Sequence, residues 1–184
     1  MTYCFYNKNN SIDLYAMRDQ ISLIEKLGSH GIACLGLATE VNKLDFLEKK
    51  KIIELVAKIS NGSLPIVVTI SGKNLKEYKK LVELAEFYNA SWIVFQPMLK
   101  KNITDKDCFE FFNKIIKIVN NKTLVGIQNA KEYIGVGLES QEILKLYNKF
   151  NNFRAIKGEA SAIIIQTEIN KYPNNLKVFN GRGG

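Results

Sequence analysis

The run Phe153-Arg154-Ala155-Ile156-Lys157-Gly158-Glu159 ends an apolar stretch on a lysine. Strand alternation puts Phe153, Ala155 and Lys157 on one face. Burying an ammonium in an apolar sheet is costly. A lysine at that point is therefore either a strand end reaching water or part of a site. In a site its natural chemistry is an imine with a carbonyl carbon, because desolvation frees the amine as a nucleophile. Glu159, two residues on, is either an exposed loop carboxylate or a proton carrier for that amine. Gln128 closes the apolar run before it, Leu124 to Gln128. If the two strands are neighbours, about 4.8 Å apart, Gln128 and Lys157 meet at their carboxyl ends. Gln128 can hydrogen-bond but not titrate. Tyr133, in the following loop, is a second candidate for proton transfer.

The remaining chemistry-bearing residues exclude more than they suggest. His30 is the only histidine, which rules out a multi-histidine metal site and disfavours a Ser-His-Asp triad. No metal and no cofactor is expected. Cys4, Cys34 and Cys108 are widely spaced, form no CxxC pair and read as reduced, mostly buried thiols. The net charge of +8 invites a nucleic-acid or polyanion reading. However, only Arg18, Arg154 and Arg182 among the 26 basic residues are arginine, the residue whose planar fork suits phosphate and base recognition. The lysines are scattered along helices among asparagines, so no specific nucleic-acid partner is expected. No run is long and apolar enough for a membrane span and no signal pattern opens the chain. A cytoplasmic protein without a membrane partner is the expectation.

The elements that must position these residues alternate strand and helix with a period of roughly thirty residues, the pattern of βα units. Strands are expected at Ile32 to Gly36, Pro65 to Ile70, Trp92 to Gln96, Leu124 to Gln128, Phe153 to Lys157 and Leu176 to Asn180, with Tyr3 to Phe5 as the remnant of a first. Between them lie helices from Tyr15, Leu44, Leu75, Thr104, Leu138 and Ile163. Leu81, Leu84, Ala85 and Tyr88 should face the core from one of these, and Phe111, Ile115, Ile118 and Val119 from another. Thr104 with Asp107 makes a capping box. Continuous apolar strands predict a parallel sheet buried on both faces. No glycine-rich phosphate fingerprint follows an early strand, which favours a (β/α) barrel over a doubly wound sheet. Residues 1–184 read as one domain.

With the elements placed, the chain resembles the dihydrodipicolinate synthase/N-acetylneuraminate lyase family of class I aldolases. Ser11-Ile12-Asp13-Leu14 resembles the family's opening helix start. Gly28 to Gly36 resembles its glycine-rich strand, leading to a loop usually written GTTGE and here Gly36-Leu37-Ala38-Thr39-Glu40. Leu64 to Val68, Ala85 to Pro97 and Phe153 to Glu159 resemble three further units in order, the last being the strand that carries the Schiff-base lysine. The resemblance implies a TIM-type (β/α)8 barrel, here incomplete: about seven strands, without the eighth strand and the C-terminal helices. It implies that Lys157 forms a Schiff base with pyruvate or a similar 2-oxo acid so that a C–C bond is made or broken, with Glu159 and Tyr133 as proton carriers. It also implies that Gly36, Leu37, Ala38, Thr39 and Gln128 bind the substrate, and that the protein is a homo-oligomer.

The departures bear on activity. The family's YNxP strand end is Gln128-Asn129-Ala130-Lys131, its threonine pair is Leu37-Ala38, and its PYY segment is Pro97-Met98-Leu99. The tyrosine relay is missing, so dihydrodipicolinate synthesis itself is not expected. The alternative is a catalytically inactive, truncated relic or scaffold of the same family.

Overall fold

The structure is a computed structural model of the chain. It describes residues 1–98 and 103–181, and of Tyr133 and Ile134 the backbone only. Leu99 and the arginine-glycine end 182–184, both quoted above, lie outside the described residues.

Contacts divide the chain into two compact units, residues 1–71 with 76–93, and residues 72–75 with 94–184. The first unit holds α1 (Leu14–Lys26), β1 (Ile32–Cys34), a 3-10 turn (Leu37–Thr39), α2 (Phe46–Ser60), β2 (Ile66–Ile70), and α3 (Leu75–Phe87) apart from its first residue. The strand β3 (Trp92–Phe95) contributes residues to both units. The second unit continues with α4 (Asp105–Ile115), β4 (Leu124–Asn129), the one-turn helix α5 (Lys131–Ile134), α6 (Ser140–Lys149), β5 (Phe153–Gly158), α7 (Ala162–Ile169) and β6 (Lys177–Asn180). Strand order in the sheet follows chain order, β1-β2-β3-β4-β5-β6, and β1/β2, β4/β5 and β5/β6 pair in parallel.

The helices begin where their caps dictate. The Asp13 carboxylate accepts from the N–H groups of Tyr15 and Ala16, and Asp45 with Glu48 closes a capping box on α2. The box expected at Thr104 and Asp107 opens α4. The buried stripe of α3 is Tyr78, Leu81, Val82 and Ala85, one step from the expected face: Leu84 and Tyr88 are only half-buried. In α4 the stripe is Cys108, Phe112 and Ile115, and the helix tightens to 3-10 at Ile116–Ile118, which leaves Phe111 and Ile118 at the margin. Leu81, Ala85, Ile115 and Val119 are buried as expected; neighbouring turns also carry apolar residues, so the period alone does not fix the margins of each stripe.

Among the described residues the strand count is six rather than about seven. Tyr3–Phe5 does not form a strand; Tyr6 instead bridges Ile12 in an antiparallel pair, and only the Thr2 N–H reaches the sheet, donating to the Ala33 carbonyl at 2.8 Å. Among the described residues no helix is long and apolar enough to cross a membrane.

Candidate functional site

In the second unit, β4, β5 and β6 bring Gln128, Lys157 and Phe179 into one cross-strand row. Residues in register on parallel strands project to the same face. The register between β4 and β5 slips at the start, with Val125 opposite Phe153 but Gly126 opposite Ala155, so strict alternation runs only from Ala155 onward. That slip puts Lys157, rather than Ile156, beside Gln128.

Glu159 lies one step beyond β5. Its N–H continues the ladder, donating to the Asn129 carbonyl at 3.1 Å, while on the other flank the Gly181 N–H donates to the Gly158 carbonyl at 2.7 Å. The Glu159 side chain is buried, only 4% exposed, and its Oε1 receives two donors: Lys157 Nζ in a close ion pair, and Gln128 Nε2 at 3.0 Å. A buried carboxylate persists as an ion only with such partners. Lys157 is one-fifth exposed, so its amine has a path to water. A Cβ at Gly181 would run into the Glu159 carboxylate, so a larger residue there would have to displace that side chain. Phe179, the third member of the row, is 55% exposed beside Lys157.

The loop after β4 is pinned to the same rim. Asn129 donates from Nδ2 to the Leu138 carbonyl at 2.9 Å and accepts from the Leu138 N–H at 2.8 Å. Lys131 Nζ reaches both Asp105 and Glu139 at 2.9 Å. Its hydrogen bonds to Glu139 and Asp105 push the Lys131 pKa upward. The Lys131 hydrogen bond, aided by the Gly137 N–H, holds the Asp105 carboxyl below its ordinary value. Tyr133 sits in α5 within this loop, its side chain outside the described residues. A pocket of about 230 Å³ borders Glu159, lined also by Asn129, Ile165, Glu168 and Tyr172. Burial raises the Glu168 carboxyl pKa, but hydrogen bonds from Lys171, Ser140 and Tyr172 outweigh it and lower the pKa overall.

In the first unit the turn Gly36-Leu37-Ala38-Thr39 follows β1. Thr39 is buried and its hydroxyl donates to the Thr2 carbonyl at 2.7 Å, so that donor is already engaged. The Thr39 N–H turns back on the Gly36 carbonyl at 3.1 Å. Leu37 is exposed and Ala38 half-buried. Cys34 and Cys108 are buried free thiols, pushed up to about 12 by desolvation, and Cys4 is partly buried.

A family model for the dihydrodipicolinate synthetase family matches residues 2–184. The chain belongs to the dihydrodipicolinate synthetase family. A 4-hydroxy-tetrahydrodipicolinate synthase of Methanopyrus kandleri is 22% identical over 96% of the chain, and an N-acetylneuraminate lyase of Lactiplantibacillus plantarum is 24% identical over 93%. A dihydrodipicolinic acid synthase family prophage protein from E. coli K12, solved in complex with pyruvate, superposes with a TM-score of 0.87 at 18% identity over 96% of the chain and 60% of its own. The chain spans 59% of the length of the synthase and 58% of the lyase. The fold is thus that of the (β/α) barrels of this family, represented here by six strands.

Lys157, Glu159 and Gln128 come together as the spacing suggested. Two features escaped sequence reading. The bond from Gln128 to Glu159 depends on the slip at Arg154, which no local pattern marks. The close approach of Gly181 had only a faint signal, a glycine just past the last strand.

Proposed function

We propose that this chain carries the amine centre of a Schiff-base lyase acting on pyruvate or a similar 2-oxo acid. The observation that supports it is the shared oxygen of Glu159, which holds Lys157 Nζ and Gln128 Nε2 together at a strand end open to water. Family membership supports the same chemistry. The ammonium passes a proton to Glu159. Nζ then bonds to the keto carbon, and the keto oxygen, twice protonated, leaves as water. The iminium so formed withdraws the electrons of the bond one carbon away, which breaks or, in reverse, forms a C–C bond. Glu159 supplies the proton transfers that the missing tyrosines cannot, with Tyr133 as the second candidate. The N–H groups of Leu37 and Ala38, in the turn that also holds Gly36 and Thr39, are proposed to bind a carboxylate. The protein is proposed to be cytoplasmic, which suits three free thiols, and to work as a homo-oligomer.

Borohydride reduction in the presence of pyruvate tests this. The wild-type chain should gain a pyruvate-dependent mass on Lys157, and Lys157→Arg, which keeps the charge but cannot form the imine, should gain none. A wild-type chain without the adduct, or with it on another lysine, is the inactive relative instead.

A further inference from the structure

The sequence holds two Asn-Gly pairs, Asn61-Gly62 and Asn180-Gly181. In such a pair the glycine nitrogen can attack the asparagine side-chain carbonyl, because glycine brings no Cβ to crowd the approach. The fold treats the two pairs differently. The Gly181 N–H extends the sheet ladder, donating to the Gly158 carbonyl at 2.7 Å. At the other pair, neither the Asn61 carbonyl nor the Gly62 N–H has a hydrogen-bond partner among the described residues. Both residues are exposed, and no atom lies within 4 Å of the place a Gly62 Cβ would take. Asn10 and Asn89 also sit at positive φ, but there the next N–H is held. Ser11 N–H donates to the Asn9 side chain at 3.1 Å, and Ala90 N–H to the Ala85 carbonyl at 2.9 Å.

We propose that Asn61 is a site of spontaneous covalent modification in the native chain, cyclising with Gly62 to a succinimide that opens to aspartate and isoaspartate, while Asn180 is protected. Asn61 caps α2 at φ 39° and ψ 37°, and Gly62 follows at φ 80°. Ring closure needs the peptide between them to turn until its nitrogen faces Asn61 Cγ. Counter-rotation of ψ at Asn61 and φ at Gly62 turns that peptide alone. The flanking bonds stay in place: Asn61 N–H to the Ala57 carbonyl at 3.0 Å, and Ser63 N–H to the Ser60 carbonyl at 2.6 Å. Glycine permits the rotation, and the turning peptide has no hydrogen bond to lose. The Gly62 nitrogen gives its proton to water and bonds to Asn61 Cγ, and the Cγ–Nδ2 bond breaks as ammonia leaves. Water then opens the ring. Breaking the new bond between Cγ and nitrogen gives aspartate. Breaking the bond between the Asn61 main-chain carbonyl carbon and nitrogen gives isoaspartate, with the chain now running through Cγ. Either product lowers the formal net charge of +8 by one unit. It also puts a carboxylate at the C-terminus of α2, where the helix dipole opposes it.

The test ages the full chain in mildly alkaline buffer, natively and in urea. Peptide mapping by mass spectrometry follows the replacement of NH by O at each asparagine, and labelling by an isoaspartyl methyltransferase identifies isoaspartate. Each native rate is divided by the rate of the same residue in urea, which removes the effect of neighbouring side chains. The quotient for Asn180 should be about tenfold lower than that for Asn61, the factor of one backbone hydrogen bond that must open first. Isoaspartate should accompany aspartate at position 61, since direct hydrolysis of the side chain yields aspartate alone. Asn61→Gln, which would need a larger ring, should show no conversion at that position over the same time. Equal quotients, a lower one for Asn61, or aspartate without isoaspartate at position 61 overturns the proposal. The comparison of the two pairs needs no variant, so the outcome does not depend on whether Asn61→Gln folds.

Discussion

Glu159 separates imine formation from turnover. Its carboxylate is buried against Lys157 and Gln128, and Glu159→Gln keeps the shape and an acceptor oxygen while removing the capacity to carry a proton. Steady-state turnover of a cleavable 2-oxo acid should fall about a hundredfold, the usual size of a general acid–base contribution, while the borohydride adduct on Lys157 still forms. Equal loss of both would reduce Glu159 to a structural counter-ion. At this scale much was legible beforehand. A lysine ending an apolar run and a carboxylate two residues later are local facts. That Gln128 donates to this carboxylate and keeps an unpaired oxygen is not local, because it follows from a register slip and from burial. Thr39 shows the same limit: its type suggested a donor for substrate, and only the fold shows its hydroxyl given to Thr2.

At the scale of elements, two charged clusters hold helices to strand ends. Lys49 of α2 is buried, 4% exposed, and its Nζ reaches the Ser71 carbonyl and Glu77 of α3, each at 2.9 Å. Removing one partner of a buried pair costs more than the pair contributes, because the other charge loses its compensation. Lys49→Met should therefore destabilise by about 3 kcal/mol in urea unfolding, and adding Glu77→Leu should recover much of the loss. The second cluster joins α4 to the loop after β4 through Lys131, Asp105 and Glu139. Asp105 is held below its ordinary pKa in the folded chain, so its contribution is present above the unfolded value and lost as pH falls through the folded one. Asp105→Asn should melt lower than wild type near neutrality, and the gap should close below about pH 3.9, the ordinary aspartate value. A gap independent of pH would mean the residue acts through packing. The helices' existence and caps were readable from period and capping residues. Half of each expected stripe is buried, Leu81 and Ala85 in α3 and Ile115 with Val119 at and just beyond the end of α4, and the rest was left to tertiary packing because adjacent turns are similarly apolar.

For the whole molecule, the parallel order of strands followed from the βα period and the continuous apolar runs, whereas strand number and assembly depend on surfaces that the period does not encode. The helix α7 reads Ala-Ile-Ile-Ile, yet only Ile165 is buried, against Gly158, whose missing Cβ admits it. Ile163, Ile164 and Ile169 are 77%, 47% and 45% exposed. Fully covering an exposed isoleucine gains about 1.5–3 kcal/mol, so the exposed portions of the three supply roughly 2.5–5. Association costs an estimated 4–15 kcal/mol in lost freedom before any other contact is made. The two ranges overlap, so self-association through α7 should be weak and concentration-dependent. In sedimentation the chain should shift from monomer toward dimer as concentration rises, and it should bind a hydrophobic dye in its native state. Ile163→Lys, at the most exposed of the three, should weaken both without lowering the melting temperature, because that side chain contributes little to the fold. A chain that stays monomeric at the highest concentration and binds no dye would exclude α7 as the contact. The proposed homo-oligomer would then have to be built on another face, Phe179 beside the Lys157 row being the next exposed aromatic in the same unit.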